Sequence, residues 1–415
     1  MPSSAYGTIS HLHHKGGLEK FLIESPSLTF WRFQHLQYTN FAVDYKAVDL
    51  DGQQQSRYHK LDREGDLLSQ DMYLMAELPA LAGDSQYIDS VGQMMIKQVD
   101  LSIGGNCIKS LTGAYLYCWD ELSGGTKKLE EMTLKYGNDS NACAAAKTVR
   151  TVYVPLPFFG STGNALPLIA LQFHNVKISF QMEDIGKIAT NNAKKDIKQE
   201  KVYVADGRGE GGALSWSDIK LKLLYGQVYL SEEERARFAD LAVEMLITQV
   251  QSHDVLVGPQ SITAQQRLNF NHSVSELIWA VKNASGPSLS APFAGDINAV
   301  TKCDYDILTS ADMKLNNNPR WDSSLPMEYY RLVQPYQHHK SIPKAKVYCY
   351  NFGLHPEEDQ PSGAINMSRI DSVTFKVTAG NALAPLHADA ELHIFARNYN
   401  ILVVKDGLGG LMYAS

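Results

Sequence analysis

The chain of 415 residues is poor in cysteine, in basic charge and in long apolar runs. Its five cysteines, Cys107, Cys118, Cys143, Cys303 and Cys349, are odd in number and widely spaced. None falls in a C-x-x-C pair, which argues against a zinc site and a secreted disulfide framework and points to a reducing compartment. Lys and Arg number 38 against 45 Asp and Glu, a formal net charge of -7. No basic excess is left to neutralise a phosphate backbone, so direct nucleic-acid binding is not expected. No apolar run approaches the roughly 18 residues of a membrane span, and the opening MPSSAYGTISHLHHKGG lacks the apolar centre of a signal peptide. A soluble protein made in the cytosol is expected, and without secretory entry the sequons at Asn138, Asn271, Asn283 and Asn366 carry little weight. Neither G-x-S-x-G nor H-E-x-x-H occurs.

What is present is an ordinary globular composition: 44% hydrophobic and 20% charged residues, 30 Gly and 16 Pro. The length suggests two domains, or three small ones. Residues 1–25 are small and polar and read as an arm outside any core. Beyond them, short alternating segments rich in Val, Ile, Tyr and Phe recur, among them 41–50, 72–78, 94–103, 149–154, 169–180 and 219–230. Turn punctuation such as Asp51-Gly52, Gly104-Gly105 and Gly160 to Gly163 separates them. A helix is predicted from Ser231 to Ala242, with three glutamates in its first turn and Phe238 and Leu241 facing the flanking sheets. Strand-like runs resume at 245–250, 267–270, 276–281, 346–352, 373–377 and 391–404. The expected architecture is all-β: arm 1–25, first sandwich 26–230, helical linker 231–242 and second sandwich 243–415, both of the jelly-roll kind. In the stretch 165–173, read as a strand, only one of Leu168 and Leu171 would face the core, because positions three apart lie on opposite faces.

No chemical motif survives its blander reading. His11, His13 and His14 with Glu19 resemble a cupin metal cluster but lie in a polar arm without strand pattern. The stretch 207–212 matches G-x-G-x-x-G, yet no helix opens after it to receive a pyrophosphate. Asp49-Leu50-Asp51-Gly52 is a hairpin turn rather than a calcium loop, since the closing Glu is replaced by Lys60. Glu357-Glu358-Asp359 reads as a solvated loop, and Lys194, Lys195, Lys198 and Lys201 as another. No catalytic, cofactor-binding or metal-ligating set is assigned.

One stretch is distinctive. Residues 152–181, VYVPLPFFGSTGNALPLIALQFHNVKISFQ, resemble the signature of the major capsid proteins of nucleocytoplasmic large DNA viruses. Four further words follow the family order: Arg63 to Leu67 like its R-x-G-D-L, residues 87–105 ending in Ile103-Gly104-Gly105, Trp119 to Leu122 like its W-x-E-L, and in the second half Gln334 to His339 with 348–371. The end, ARNYNILVVKDGLGGLMYAS, resembles the family C-terminus. The chain departs from the pattern in its small polar turn Gly160 to Gly163 and in its shorter length. These departures leave the virus group open and admit a minor, capsomer-related paralogue.

The resemblance implies a double jelly roll without enzymatic activity or cofactor. Three copies would form a homotrimer, a pseudo-hexagonal capsomer tiling an icosahedral shell beside neighbouring capsomers and minor capsid proteins. The shell would overlie an inner membrane, away from the nucleic acid, in a virion assembled in host cytoplasm. It also implies an inward-facing arm, with Phe21, Leu22 and Ile23 as contacts to minor shell proteins or the membrane side. A cupin-like or glycan-cleaving enzyme and a jelly-roll carbohydrate-binding module are the rival classes.

Overall fold

Alternation of buried and exposed side chains marks most of the chain as strands with one face on a core, as in Val176–Met182, where Val176, Ile178, Phe180 and Met182 are buried and Lys177 and Gln181 exposed. The computed structural model describes residues 16–18, 20, 31, 39–82, 85–124, 132–133, 148–191, 203–206, 209–240, 242–257, 263–283, 308–321, 325–379 and 390–413. Residues 1–40 and 41–415 are separate compact units, and the architecture below belongs to the second.

The first half contributes β1 (Phe41–Asp49), β2 (Ser56–Lys60), β3 (Leu67–Leu78), β4 (Ile96–Ile103), β5 (Asn106–Thr112), β6 (Arg150–Pro155), β7 (Val176–Met182) and β8 (Lys220–Leu230). They are the main strands of two antiparallel sheets, β1-β8-β3-β6 and β2-β7-β4-β5, each of which has one further short strand, Leu166–Pro167 on β3 and Asp51–Gln53 on β2. The second half contributes β9 (Val243–Val257), β10 (Thr263–Leu268), β11 (Ser273–Asn283), β12 (Leu308–Leu315), β13 (Asn318–Pro319), β14 (Val347–Asn351), β15 (Val373–Ala379) and β16 (Ala390–Lys405). Its sheets are β9-β16-β11-β14 and β10-β15-β12-β13. Adding eight to each strand number of the first half gives the second, so one Greek-key order occurs twice. Each half is a jelly roll and the chain an all-β double jelly roll. A last strand, β17 (Leu408–Leu411), folds back on β16.

Each roll closes over its own core, with Leu74, Val154 and Leu223 meeting Val99, Ile178 and Phe180 in the first, and Trp279, Tyr348 and Ile394 meeting Met313, Phe375 and Val377 in the second. The sheet β9-β16-β11-β14 is apolar on both faces. Along β11, Leu277 and Trp279 join the second core while Ile278 and Ala280 join the first, so the strand reads as an unbroken apolar run. β9 and β16, in register from Val243↔Val404 to Val257↔Ala390, extend from the second core (Val255, Leu392, Ile394) to the first (Met245, Ile247, Leu402, Val404). The two rolls therefore share strands as well as contacts.

Two local expectations are corrected, and one helix is added to them. The run 169–180 is a strand only from Val176; residues 168–170 are a turn closed by the Leu171 N–H donating to the Leu168 carbonyl at 3.1 Å. A turn does not alternate faces, and Leu168 and Leu171 are both buried. Residues 113–122, carrying the W-x-E-L word, form helix α1 (Gly113–Leu122), buried on most sides and hence without the apolar stripe that advertises a surface helix. Helix α2 (Glu232–Asp240) lies between the rolls but has no buried residue; Phe238 is half-buried, and Leu241 lies outside the described residues.

Candidate functional site: the junction between the two jelly rolls

Helix α1 is where the first roll meets the second. The Thr112 hydroxyl caps it, accepting the Tyr115 N–H at 3.2 Å. From its inner side Tyr115 sets its ring edge against Phe395 of β16, with centroids 5.5 Å apart. The Glu121 carboxylate accepts the N–H groups of Lys344 at 2.7 Å and Ala345 at 3.3 Å, and the Leu122 carbonyl accepts that of Ser341 at 3.1 Å. The segment so gripped leads from helix α3 (Gln334–His338) into β14.

Behind α1 lies a buried set of charges. Glu276 of β11 has one carboxylate oxygen 3.3 Å from Arg397 Nη1 and the other 3.2 Å from His339 Nε2, with the Glu276 and His339 side chains closed to solvent. On the other side of the imidazole, Nδ1 is 3.2 Å from Glu357, which also accepts the Lys340 backbone N–H at 3.0 Å. The Arg397 guanidinium donates to the Pro356 carbonyl and stacks 4.3 Å over the Trp119 ring. Burial would strip the proton from His339; bonds with Cys349, Glu276 and Glu357 outweigh it and push its pKa up to about 12. Burial would raise Glu276, but His339 and Arg397 reverse that and hold the carboxyl below the usual range; Glu357 is lowered likewise, by His339 and Lys340. The result is an imidazolium between two carboxylates, one of them shared with a guanidinium. All four ionic groups belong to the second roll, so the set holds that roll's own strands and loops together, and it reaches the first roll through the Arg397 guanidinium on the Trp119 ring.

Two family profiles match this chain: "Major capsid protein N-terminus" over residues 29–221 and "Large eukaryotic DNA virus major capsid protein" over residues 234–410. The major capsid protein of Pyramimonas orientalis virus is 32% identical, the alignment covering 99% of this chain and 100% of that one. The chain belongs to the major capsid protein family of large eukaryotic DNA viruses. The family member from Paramecium bursaria Chlorella virus 1 is 29% identical over 99% of this chain and all of its own length. A chain of the quasi-atomic PBCV-1 virus capsid superposes with a TM-score of 0.76 at 27% identity, covering 93% of this chain and 100% of that one.

The family words have visible structural work. In R-x-G-D-L, the Arg63 guanidinium donates to the Gln172 and His174 carbonyls at 2.6 and 2.9 Å, and Asp66 accepts the Leu230 N–H at 2.9 Å and pairs with Arg235 of α2 at 3.0 Å. The C-terminal word clasps the second roll to the first. Phe173 donates its N–H to the Gly407 carbonyl at 3.0 Å, and the Gly409 N–H meets His174 Nδ1 at 3.1 Å. Gly407 has φ +78°, and a Cβ there would lie 2.6 Å from the Phe173 ring, so only glycine fits. Between these grips, Lys109 of β5 donates to the Pro157 and Phe158 carbonyls and to Thr248 of β9, and burial, then the nearby Arg397, pushes its pKa down to about 7.

The family words Trp119 to Leu122 and Gln334 to His339 supply Trp119, Glu121 and His339 to this junction, whereas the site residues proposed from the sequence are not among its members. Phe21, Leu22 and Ile23 lie outside the described residues, as do His11, His13, His14, Glu19 and the four loop lysines. Glu357, read as part of a solvated loop, is instead buried against His339. His339 and Arg397 are letters of the family words, while Glu276 carries no local signal: an isolated Glu inside an apolar strand looks like an outward-facing residue until the second covered face is known. Asp254, Glu391 and His393, on adjacent strands, place ligand-type atoms within 4.8 Å of one another, with His393 Nδ1 2.7 Å from Asp254 Oδ1.

Proposed function

We propose that this chain is the shell-forming major capsid protein of a large icosahedral DNA virus, and that three copies close into a pseudo-hexagonal capsomer of six jelly rolls. The observation that carries this reading is the repeated strand order, β1-β8-β3-β6 and β9-β16-β11-β14, in rolls joined through Glu121 and Trp119 of α1. Each chain presents two near-equivalent blocks at one fixed angle, so three chains supply a six-sided tile. The role is structural rather than enzymatic. Assembly proceeds by surface burial: large closed contacts within the trimer, then smaller polar contacts to neighbouring capsomers and minor capsid proteins. The arm 1–25 places the capsomer through Phe21, Leu22 and Ile23 toward the minor shell proteins or an inner membrane, with the rolls at 26–230 and 243–415 and the linker at 231–242. The net charge of -7 fits a shell protein kept away from the genome, in a virion assembled in host cytoplasm. Light scattering on the purified chain tests this. A stable species of three times 46.1 kDa is expected, appearing as pseudo-hexagonal particles by electron microscopy. A monomer at micromolar concentration overturns it and favours a binding module.

A further inference from the structure

Two histidines of the second roll are flanked by carboxylates, and their surroundings differ. His339 has both ring nitrogens 3.2 Å from carboxylate oxygens, those of Glu276 and Glu357, with all three side chains closed or nearly closed to solvent. His393 of β16 has another geometry. Its Nδ1 is 2.7 Å from Oδ1 of Asp254, its register partner on β9, and its Nε2 is 3.6 Å from Oε2 of Glu391, two positions back on β16. The His393 side chain is 9% exposed, whereas those of Asp254 and Glu391 are 45% and 33% exposed. A buried imidazole is thus the floor of a site whose mouth is two carboxylates open to solvent. Glu391, His393 and Phe395 share the sheet's outer face, because Phe395 joins the first core while Leu392 and Ile394 join the second. The Phe395 ring lies parallel to the imidazole, with centroids 6.1 Å apart, and the neighbour on β11 is Ala280, which brings neither bulk nor charge.

An ionised carboxylate can only accept, so the 2.7 Å contact makes Nδ1 the donor to Asp254 and, in the neutral ring, turns the Nε2 lone pair toward Glu391. At 3.6 Å that second contact is too long for a hydrogen bond. It is near the separation of two donor atoms on one tetrahedral ion, about 3.4 Å for bonds of roughly 2.0–2.1 Å. A carboxylate on one ring nitrogen, with the other nitrogen aimed at an ion, is the arrangement that fixes the tautomer of metal-bound histidines. An imidazole nitrogen beside a carboxylate oxygen suits zinc and its first-row neighbours, whereas calcium and magnesium take oxygen ligands.

We propose that Glu391 and His393 Nε2 bind one divalent ion of the zinc class, with Asp254 as the positioning residue behind His393 and water completing the shell. The three ligand-type atoms already lie within 4.8 Å of one another, so the ion enters without rearrangement of the strands. The exposed carboxylates give it a path in and leave room for its waters. Bound there, it neutralises carboxylate charge and ties β16 to β9 through the His393–Asp254 pair, close to the end of their ladder at Val257↔Ala390. The role is structural, and the site lies within one chain, so it does not depend on how copies assemble.

Cobalt(II) is the probe, because its visible absorption reports its coordination where zinc has none, and zinc is the competitor. The titration uses the full chain with His11→Gln, His13→Gln and His14→Gln, so that the histidines of the arm add no signal. One equivalent per chain is expected to bind in the micromolar range at neutral pH, displaced by zinc but not by millimolar calcium or magnesium. Asp254→Asn, whose carbonyl still accepts from Nδ1, should weaken binding about tenfold, as loss of an outer carboxylate does, and Glu391→Gln by more than about 100-fold. In chelator both should melt like the parent chain, and zinc should raise the melting temperature of the parent while leaving that of Glu391→Gln unmoved. His393→Gln should abolish binding; if that variant melts early because the ring is buried, Glu391→Gln carries the test from its more open position. No saturable binding, binding that survives Glu391→Gln, or displacement by calcium overturns the site, and unchanged affinity in Asp254→Asn overturns the role given to that residue.

Discussion

Replacing Glu276 by Gln keeps the shape of the junction and removes one charge. In the native chain that carboxylate faces two cations, Arg397 at 3.3 Å and His339 at 3.2 Å. At the effective dielectric constant of about 20 that suits protein sites, each such contact is worth roughly 5 kcal/mol of gross attraction. Most of this is offset by the several kcal/mol each ion gave up on leaving water, so the loss is not the sum. What remains after substitution is a guanidinium still buried but deprived of its carboxylate, and an imidazolium supported by Glu357 alone. A net loss of about 3–5 kcal/mol is expected, or roughly 6–20 °C in melting temperature at about 2–4 °C per kcal/mol for domains of this size. The loss should grow between pH 7 and pH 5.5. The unfolded imidazole titrates alike in both chains, so the difference comes from the native states: the native chain keeps the His339 proton across this range, and a substituted junction that holds it more weakly gains less from acidification. Thermal and urea melts followed by circular dichroism at both pH values measure it. A loss below about 1 kcal/mol at both would refute the reasoning and make the cluster a solvated ornament. Adding Arg397→Met to Glu276→Gln removes the stranded cation and should return part of the stability, since an apolar replacement of a whole buried pair is often neutral.

Both Leu168→Asp and Leu171→Asp should abolish soluble expression, since both side chains are buried in a turn; a soluble product from either would place that residue outside the core. Native stability should vary little between about pH 7 and 10.5, because His339, its pKa raised from 6.5 to about 12, loses stabilisation as pH rises through that window while Lys109, lowered from 10.5 to about 7, gains it. Lys109→Met leaves only the falling limb, so its melting temperature should drop steadily above pH 7; a flat profile in that variant would rule out the His339 contribution. Gly407→Ala should cost about 1–3 kcal/mol through its left-handed backbone and the Phe173 ring, read by urea melts, and equal stability would show that the C-terminal clasp is slack. Phe238→Ala should cost about 1–2 kcal/mol, less than a core phenylalanine, because α2 buries none of its residues; a cost above about 3 kcal/mol in denaturant melts would show a packed hinge instead.

Strand positions were readable because a residue and its neighbour two places on share a face, and that alternation is local. It located β1, β8 and β16 within a few residues of their observed limits, and the charged helix at 232–240 announced itself by its glutamate-rich first turn. It misread the turn at 168–170, where a run of apolar residues looks the same whether extended or folded back on a core. It passed over α1 for the related reason that a helix buried nearly all round has no polar face to set its period.

The sequence by itself determined an acidic, all-β chain of two sandwiches and, through words scattered in one order, its family. Tertiary structure alone decided that β9-β16-β11-β14 is covered on both faces, that a glutamate from a supposed solvated loop clamps a histidine, and that Asp254 and Glu391 converge on His393. The reason is distance along the chain. Glu276 and Arg397 are 121 residues apart and Glu121 and Lys344 are 223 apart, so nothing in either neighbourhood records the partner. A charged residue's meaning, whether solvated surface or buried lock, is set by what the fold brings against it from elsewhere.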